Sequence, residues 1–257
     1  MTDIGERERA TQRRVVRLFC DELGYEYLGD LSEGDNHNII EGQLEHFLYA
    51  YQGYDEREDG PEMVRRAVAE LVKVAGNTSL RLYDRNKEVY QLLRYGLPLK
   101  LAVGETKKTV CFIDWEHPER NRFAVAEEVT VKGRDARAHT KRPDVVLYVN
   151  GIALGVLELK RSTVSVAEGI RQNLDNQKRE FIELFFATMQ LVMAGTRVPR
   201  IHHCPRTRAP SRAPPRRSVS RGPGPASTQV AADPKRAERR AAGARQVVLL
   251  NPSPVAW

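Results

Sequence analysis

The sequence predicts an α/β fold with a helical N-terminal part, a β-rich centre and a basic tail. Three observations predict it. Apolar residues recur at helical spacing up to about residue 96; from residue 97 the texture turns β-rich around an Asn-Gly hairpin signal; helical spacing returns after residue 164. The expected division is therefore 1–96, mainly helical; 97–195, the α/β core; and 196–257, an Arg/Pro/Ala-rich tail.

The elements follow in order. Within 6–28, Val15, Val16, Leu18 and Phe19 share one helical side, and within 61–96 Met63, Val64, Ala67, Val68, Leu71 and Val72 do the same. Pro61 suits a first helical turn and Gly76 a helix end. Residues 86–96 predict a further helix, with Val89, Leu92 and Leu93 inward. Segments 99–103, 109–115 and 123–131 predict strands, and 144–149 and 155–160 two short strands joined at Asn150-Gly151. Residues 164–194 predict one long helix, carried by Ile170, Leu174, Phe181, Leu184, Phe185 and Val192. No internal repeat is present.

Charge must be divided before it is used. The chain of 257 residues carries a formal +7, but residues 196–257 hold 13 Lys+Arg against Asp233 and Glu238, leaving residues 1–195 at −4. The basic balance belongs to the tail and says nothing of the body's affinity for nucleic acid. The tail also holds 10 of the 14 prolines and no aromatic before Trp257. Three readings stay open for it: disorder, because it buries too little apolar surface to offset chain entropy; a basic arm on phosphates; or an out-of-frame translation of GC-rich DNA after a frameshift near Gly195. Cys20, Cys111 and Cys204 are scattered and form no C-x-x-C pair, which predicts a reducing compartment and no structural zinc. The longest apolar run, 185–194, is short of the roughly 18 residues that span a bilayer. The charged N-terminus lacks a signal-peptide core. A cytoplasmic location without membrane contact is expected.

The chemistry concentrates in Arg142-Pro143-Asp144 and Leu157-Glu158-Leu159-Lys160. Strand alternation puts Glu158 and Lys160 on one face and Leu157 and Leu159 on the other. A strict two-residue turn at Asn150-Gly151 would place Asp144 opposite Leu157, on the wrong face. A three-residue loop with Gly151 left-handed pairs Tyr148 with Ile152 and brings Asp144 opposite Val156, beside Glu158 and Lys160. A bulged turn is therefore predicted. Val145, Val146, Leu147, Val156 and Leu157 indicate burial on both faces, so charges inside this hairpin need a purpose. Two adjacent carboxylates are costly unless a cation lies between them. A hard ion such as Mg²⁺ suits them, lowers the pKa of a bound water from ~15.7 to ~7 and stabilises charge on phosphate. Lys160 would orient or deprotonate that water, or offset phosphate charge. Together these parts suit phosphodiester hydrolysis; a solvated strand face is the plain alternative.

The text "KRPDVVLYVNGIALGVLELKRS", followed by "GIRQNLDNQKREFIELFFATMQLVMAG", closely resembles the N-terminal nuclease region of the R (HsdR) subunit of type I restriction–modification enzymes. Upstream "CFIDWEHPERNRFAVAEEVTVKG" and "VYQLLRYGLPLKL" resemble it too, and the likeness covers roughly residues 10–195. The resemblance implies a restriction-endonuclease-like PD-(D/E)xK core with an N-terminal helical elaboration. Asp144, Glu158 and Lys160 are then its motif residues, Asp144 and Glu158 its metal ligands and Mg²⁺ its cofactor. It also implies a Gln-x-x-x-Tyr motif on the next helix: Gln172 matches the Gln, but Asn176 stands in the Tyr position. An upstream helical glutamate is common in such nucleases, with Glu41 and Glu45 as candidates. The implied function is a DNA endonuclease module acting on double-stranded DNA with methylation (M) and specificity (S) subunits and ATP. The ATP site is absent from this sequence: no G-x-x-x-x-G-K-[ST] occurs, and the segment from Gly104 to Thr109 is a decoy. A non-catalytic remnant or docking module for those subunits is the alternative; a stand-alone repair-type nuclease fits the motif but not the long likeness. The resemblance stops at Gly195, before the strand expected after the long helix. A bare sheet edge and a marginally stable product are therefore expected.

Arg161, Arg171 and Lys178 are the candidate DNA-binding cations. Lys107-Lys108 and the basic stretch from Arg134 to Arg142 could hold phosphates or be solvated faces. His37, His46, His117 and His139 share no motif, and His202-His203-Cys204 reads as incidental. Trp115 is expected to pack rather than stack on a base.

Overall fold

The computed structural model describes residues 3–33, 35–54, 58–100, 106–135, 137–160, 164–196 and 246–250. Helix α1 (Asp3–Arg17) runs into a π-helical turn (Leu18–Glu22), and strand β1 (Glu26–Asp30) follows. The helix predicted for 6–28 thus ends early, because Glu26–Asp30 pairs in parallel with a later strand instead. Helices α2 (Glu41–Gln52), α3 (Gly60–Ala75) and α4 (Leu82–Tyr95) come next. Pro61 sits in the first turn of α3 and Gly76 caps its end, as the sequence predicts. Helix α2 was not predicted. Its buried apolar positions are Leu44, Phe47 and Leu48, too few to announce a period against Glu41, Glu45 and His46.

Strands β2 (Leu97–Leu99) and β3 (Lys108–Val110) form a two-stranded antiparallel sheet. The strand predicted over 109–115 is cut short because Asp114 and Asn121 close the following loop: Asp114 N–H donates to Asn121 Oδ1 at 2.8 Å, and Asn121 Nδ2 donates back to the Asp114 carbonyl at 2.7 Å. Trp115 is half exposed rather than packed as expected; its Nε1–H donates to the Leu93 carbonyl at 2.8 Å, and the Arg94 guanidinium lies 5.2 Å over its ring.

The main sheet has six strands in the order β1-β4-β5-β6-β7-β8. Strands β4 (Phe123–Glu127), β5 (Val145–Val149) and β6 (Ile152–Lys160) are antiparallel neighbours. Helix α5 (Val166–Asn176) then crosses back, and β7 (Leu191–Thr196) runs parallel to β6, with Glu158 paired to Ala194 and Lys160 to Thr196. The single helix predicted for 164–194 is overturned. The chain leaves α5 at Gln177, makes a 3₁₀ turn at Glu183–Ala187 and enters the sheet. A full parallel ladder outweighs the helical spacing of Phe185 and Val192. The strand expected to be lost after Gly195 is therefore present, and the bare edge beside β6 is not. Strand β8 (Gln246–Leu250) pairs antiparallel with β7, so part of the predicted unstructured tail is an edge strand; 197–245 and 251–257 lie outside the described residues.

Apolar residues sit on both faces of the sheet. Val15 and Val16 of α1 pack with Val145, Leu147, Leu157 and Met193 on one face. On the other, Val146, Tyr148, Val156 and Val192 pack with Ile182, Phe185 and Phe186 of the segment after α5. A third cluster joins α2, α3 and α4 to Val110, Phe112, Ile152 and Ala187, so the helical part and the sheet share a core across residue 96. The crossover after α5 is held from α4: Asn86 Nδ2 donates to the Ala187 and Met189 carbonyls at 3.0 and 2.8 Å.

The hairpin turn departs from the bulged loop predicted for it. Val149 pairs with Ile152 across two residues, both left-handed: Asn150 at φ +52° and Gly151 at φ +81°. Asn150 is held there by its buried side chain, whose Oδ1 accepts from Arg122 N–H at 2.8 Å and whose Nδ2 donates to the Phe112 carbonyl at 2.9 Å. The tight turn matches strand twist. Gly151 also lies under the first turn of α2; a Cβ there would meet the Ile40 carbonyl oxygen at 2.7 Å and Gln43 Cβ at 2.8 Å. Gly151→Ala is therefore expected to destabilise the protein by about 2–3 kcal/mol, through strain and clash together, read as a lowered urea midpoint.

Candidate active site

The extra residue missing from the turn lies inside β6. Tyr148 pairs with Ala153 but Leu147 with Gly155, leaving Leu154 as a bulge. Its carbonyl turns to accept from Gln190 N–H at 2.8 Å. Beyond the bulge Val146 pairs with Val156 and Val145 with Leu157, and one further step puts Asp144 opposite Glu158. Asp144 thus reaches the face of Glu158 and Lys160, as the sequence reading required, but opposite Glu158 rather than Val156 and by a different bulge.

Each member is fixed. Asp144 Oδ2 accepts from Leu159 N–H at 2.6 Å, and its carbonyl accepts from Gln12 Nε2 of α1 at 3.1 Å and from Glu128 N–H at 3.0 Å. Lys160 Nζ donates to Glu158 Oε1 at 2.8 Å and to Gln172 Oε1 at 2.5 Å. Helix α5 comes this close because residue 169 is glycine: a Cβ there would lie 3.1 Å from Ala194 Cβ and within 3.7 Å of the Lys160 and Glu158 side chains. Ser165 caps the helix, its hydroxyl accepting from Ala167 N–H at 3.2 Å. Leu157 faces the opposite cluster with α1.

Glu158 is 1% exposed, and its Oε2 has no hydrogen-bond partner among the described residues. Burial first, and then the neighbouring Asp144 charge, push its carboxyl up to about 7; Lys160 opposes the rise and Glu128 adds to it. A buried carboxylate with one unpartnered oxygen beside a second carboxylate is a donor set that fits a hard divalent cation. No group of three or more His, Cys, Asp or Glu able to hold a metal occurs among the described residues. Asp144 and Glu158 would therefore be the side-chain ligands, with water completing the shell, as suits Mg²⁺.

The remaining candidates divide. Glu41 and Glu45 do not join the site. The start of α2 sits on the hairpin turn, where Ile40 N–H donates to the Gly151 carbonyl at 2.8 Å, seven strand residues (roughly 20 Å) from Glu158. Asn176, in the Tyr position, is buried; its Oδ1 has no partner among the described residues, and its main-chain carbonyl accepts from Ile182 N–H at 3.2 Å. Arg171 and Lys178 are exposed and pair with Glu168 and Asp175 one turn before them. Lys108 is engaged by Asp59 at 2.5 Å. Arg161 and the His202-His203-Cys204 run lie outside the described residues. Sequence reasoning missed Gln12, Glu128 and Gly169. Only Gly169 carried a signal, an isolated glycine within a helical pattern.

Residues 5–200 match the family model described as type I restriction enzyme R protein N terminus. The chain is 30% identical over 201 residues to the type I restriction enzyme HindI endonuclease subunit of Haemophilus influenzae, an alignment covering 76% of this chain and 18% of that subunit. It is 30% identical over 98 residues to the SsaAORF53P endonuclease subunit of Staphylococcus saprophyticus, covering 38% of this chain and 10% of that one. The chain thus spans a minor part of the length of these curated relatives. No helix among the described residues is long and apolar enough to cross a membrane. By the extent of these matches, the chain belongs to the family of type I restriction enzyme R protein N-terminal regions.

Proposed function

We propose that this region is a Mg²⁺-dependent endonuclease module that hydrolyses phosphodiester bonds of double-stranded DNA. In this reading it works within a type I complex whose methylation and specificity subunits and ATP-driven motor lie outside this chain. The observation that carries the reading is the convergence of Asp144, Glu158, Lys160 and Gln172 on one sheet face under α5, with Glu158 buried and the other three half-buried. The order β4-β5-β6-α5-β7, two carboxylates on adjacent strands and a lysine two residues on, supports the PD-(D/E)xK architecture that the sequence resemblance implies.

Asp144 and Glu158 would hold the cation, which when bound lowers the pKa of water and stabilises negative charge on phosphate. Asp144 is kept in place by the Leu159 amide, so its carboxylate stays aligned with Glu158. Gln172 and Glu158 hold the Lys160 ammonium from two sides and leave its third hydrogen for the phosphate or the attacking water. Leu157 and Leu159 of β6 exclude water from behind.

A supercoiled-plasmid nicking assay with Mg²⁺ tests the reading. The unaltered chain is expected to nick, and Asp144→Ala to fall to background. Equal background for both would reject catalysis in this chain and leave the docking role for the partner subunits.

A further inference from the structure

The segment between Val131 and Pro143 leads straight into Asp144, and its composition is unlike that of the body. Lys132, Arg134, Arg137, Lys141 and Arg142 stand against a single acid, Asp135, in a body of net charge −4. It is also built rather than loose. Its two limbs, 132–135 and 137–142, extend the β4–β5 pairing past the sheet: Glu128 N–H bonds the Asp144 carbonyl, Val129 N–H the Pro143 carbonyl at 3.1 Å, and Val131 and Lys141 bond each other both ways at 2.8 and 3.0 Å. Gly133 admits Ala138 so closely that a Cβ there would lie 2.3 Å from the alanine methyl. At the tip, Asp135 Oδ1 accepts from Arg137 N–H at 2.9 Å.

The base of the segment lies on the face that Asp144 and Glu158 share. Val129 and Val131 at its base join the cluster of Val146 and Val156, which line the face that Asp144 and Glu158 share. Lys141 Nζ lies 4.1 Å above the Phe181 ring, His139 packs on the same ring at 5.7 Å, and His139 N–H donates to the Glu180 carbonyl at 2.8 Å. Two cations serve as anchors, Lys132 to Asp35 at 3.4 Å and Arg142 to Glu128 at 3.0 Å. Arg134 pairs with its neighbour Asp135 at 3.2 Å, and Arg137 is exposed with no carboxylate partner among the described residues.

We propose that this segment is a preorganised arm that grips the phosphate backbone of duplex DNA beside the Asp144–Glu158–Lys160 site, with Arg134 and Arg137 as its contacts. The proposal rests on the nuclease reading for its substrate. It shifts the backbone contacts away from Arg171 and Lys178, which pair with Glu168 and Asp175, to a segment that ends within two residues of Asp144. Fixing the loop beforehand lets the tip arginines meet phosphates at little further cost in order, and phosphate contacts set the register of the duplex over the site.

Titrating a labelled duplex with the full chain in EDTA, from about 50 to about 200 mM salt, separates the arm from the tail, which stays constant. Arg134→Ala with Arg137→Ala should make the slope of log affinity against log salt shallower by about 2 and weaken binding about tenfold near physiological salt, since each phosphate contact contributes about 0.9 to the slope. Arg65→Ala with Arg66→Ala removes the same charge from the exposed face of α3, where both pair with Glu62, and should leave the slope unchanged. An unchanged slope in the arm variant, a loss equal to that of the α3 variant, or no duplex binding by the unaltered chain would each overturn the proposal. Nicking is scored separately: plasmid cleavage with an unaffected arm variant refutes the arm alone, whereas a shallower slope with no cleavage by any protein keeps the arm and refutes the nuclease reading.

Discussion

Lys160→Ala is expected to cut plasmid nicking about 10³-fold while duplex binding in EDTA stays within about threefold of the unaltered chain. The reason is placement. Among the described residues the ammonium is the one cation bonded to Glu158 and Gln172, at 2.8 and 2.5 Å, so on the proposed mechanism its loss removes a charge already positioned at the site. It contributes little to backbone affinity, because its side chain is only 19% exposed. The variant should still fold: stripping one partner from a buried pair is normally costly, but Glu158, already raised to about 7, can take up a proton instead. Lys160→Arg should recover little, since a planar guanidinium cannot occupy the space of a compact ammonium between two oxygens under Gly169. Nicking by Lys160→Ala within tenfold of the unaltered chain would remove Lys160 from the chemistry.

The second large effect is a pH-dependent stability carried by Glu158 in the metal-free protein. Its carboxyl sits at about 7 in the folded chain against an ordinary 4.5, with burial as the chief cause and Asp144 next. The folded state therefore holds a proton that the unfolded state releases. The stabilisation is complete below about 4.5 and is lost as pH rises through about 7, amounting to about 3 kcal/mol. Urea unfolding in EDTA should give a lower midpoint at pH 8 than at pH 5.5, and Glu158→Gln should remove most of that difference. Mg²⁺ needs the ionised form, so it should raise the midpoint at pH 8 and hardly at pH 5.5. Parallel pH curves for the unaltered and Gln chains would sink this account.

The site was more legible than the fold around it. Alternation alone placed Glu158 with Lys160 and set Leu157 behind them, and the need for Asp144 on their face demanded one extra residue somewhere in the hairpin. Where that residue sits was not readable, because it depends on contacts made from afar. Buried partners at Phe112 and Arg122 clamp Asn150 into a tight turn, and Gln190 receives the displaced carbonyl of Leu154. The same cause hid β7. Residues 191–196 carry apolar side chains compatible with either period, and only the ladder beside β6 decides between them. Helices α3 and α4 were plain from local pattern, whereas α2 was obscured by its acidic and imidazole positions, which face away from the core.

The irregularity at Leu154 bears on how this hairpin can change length over generations. Loss of that one residue would close the bulge and leave Tyr148 opposite Ala153, Leu147 opposite Gly155 and Asp144 opposite Glu158 in one unbroken ladder. The bulge is thus slack in β6 that a one-residue deletion can take up without parting the two acids, whereas one more residue between them would need a second irregularity to keep them facing.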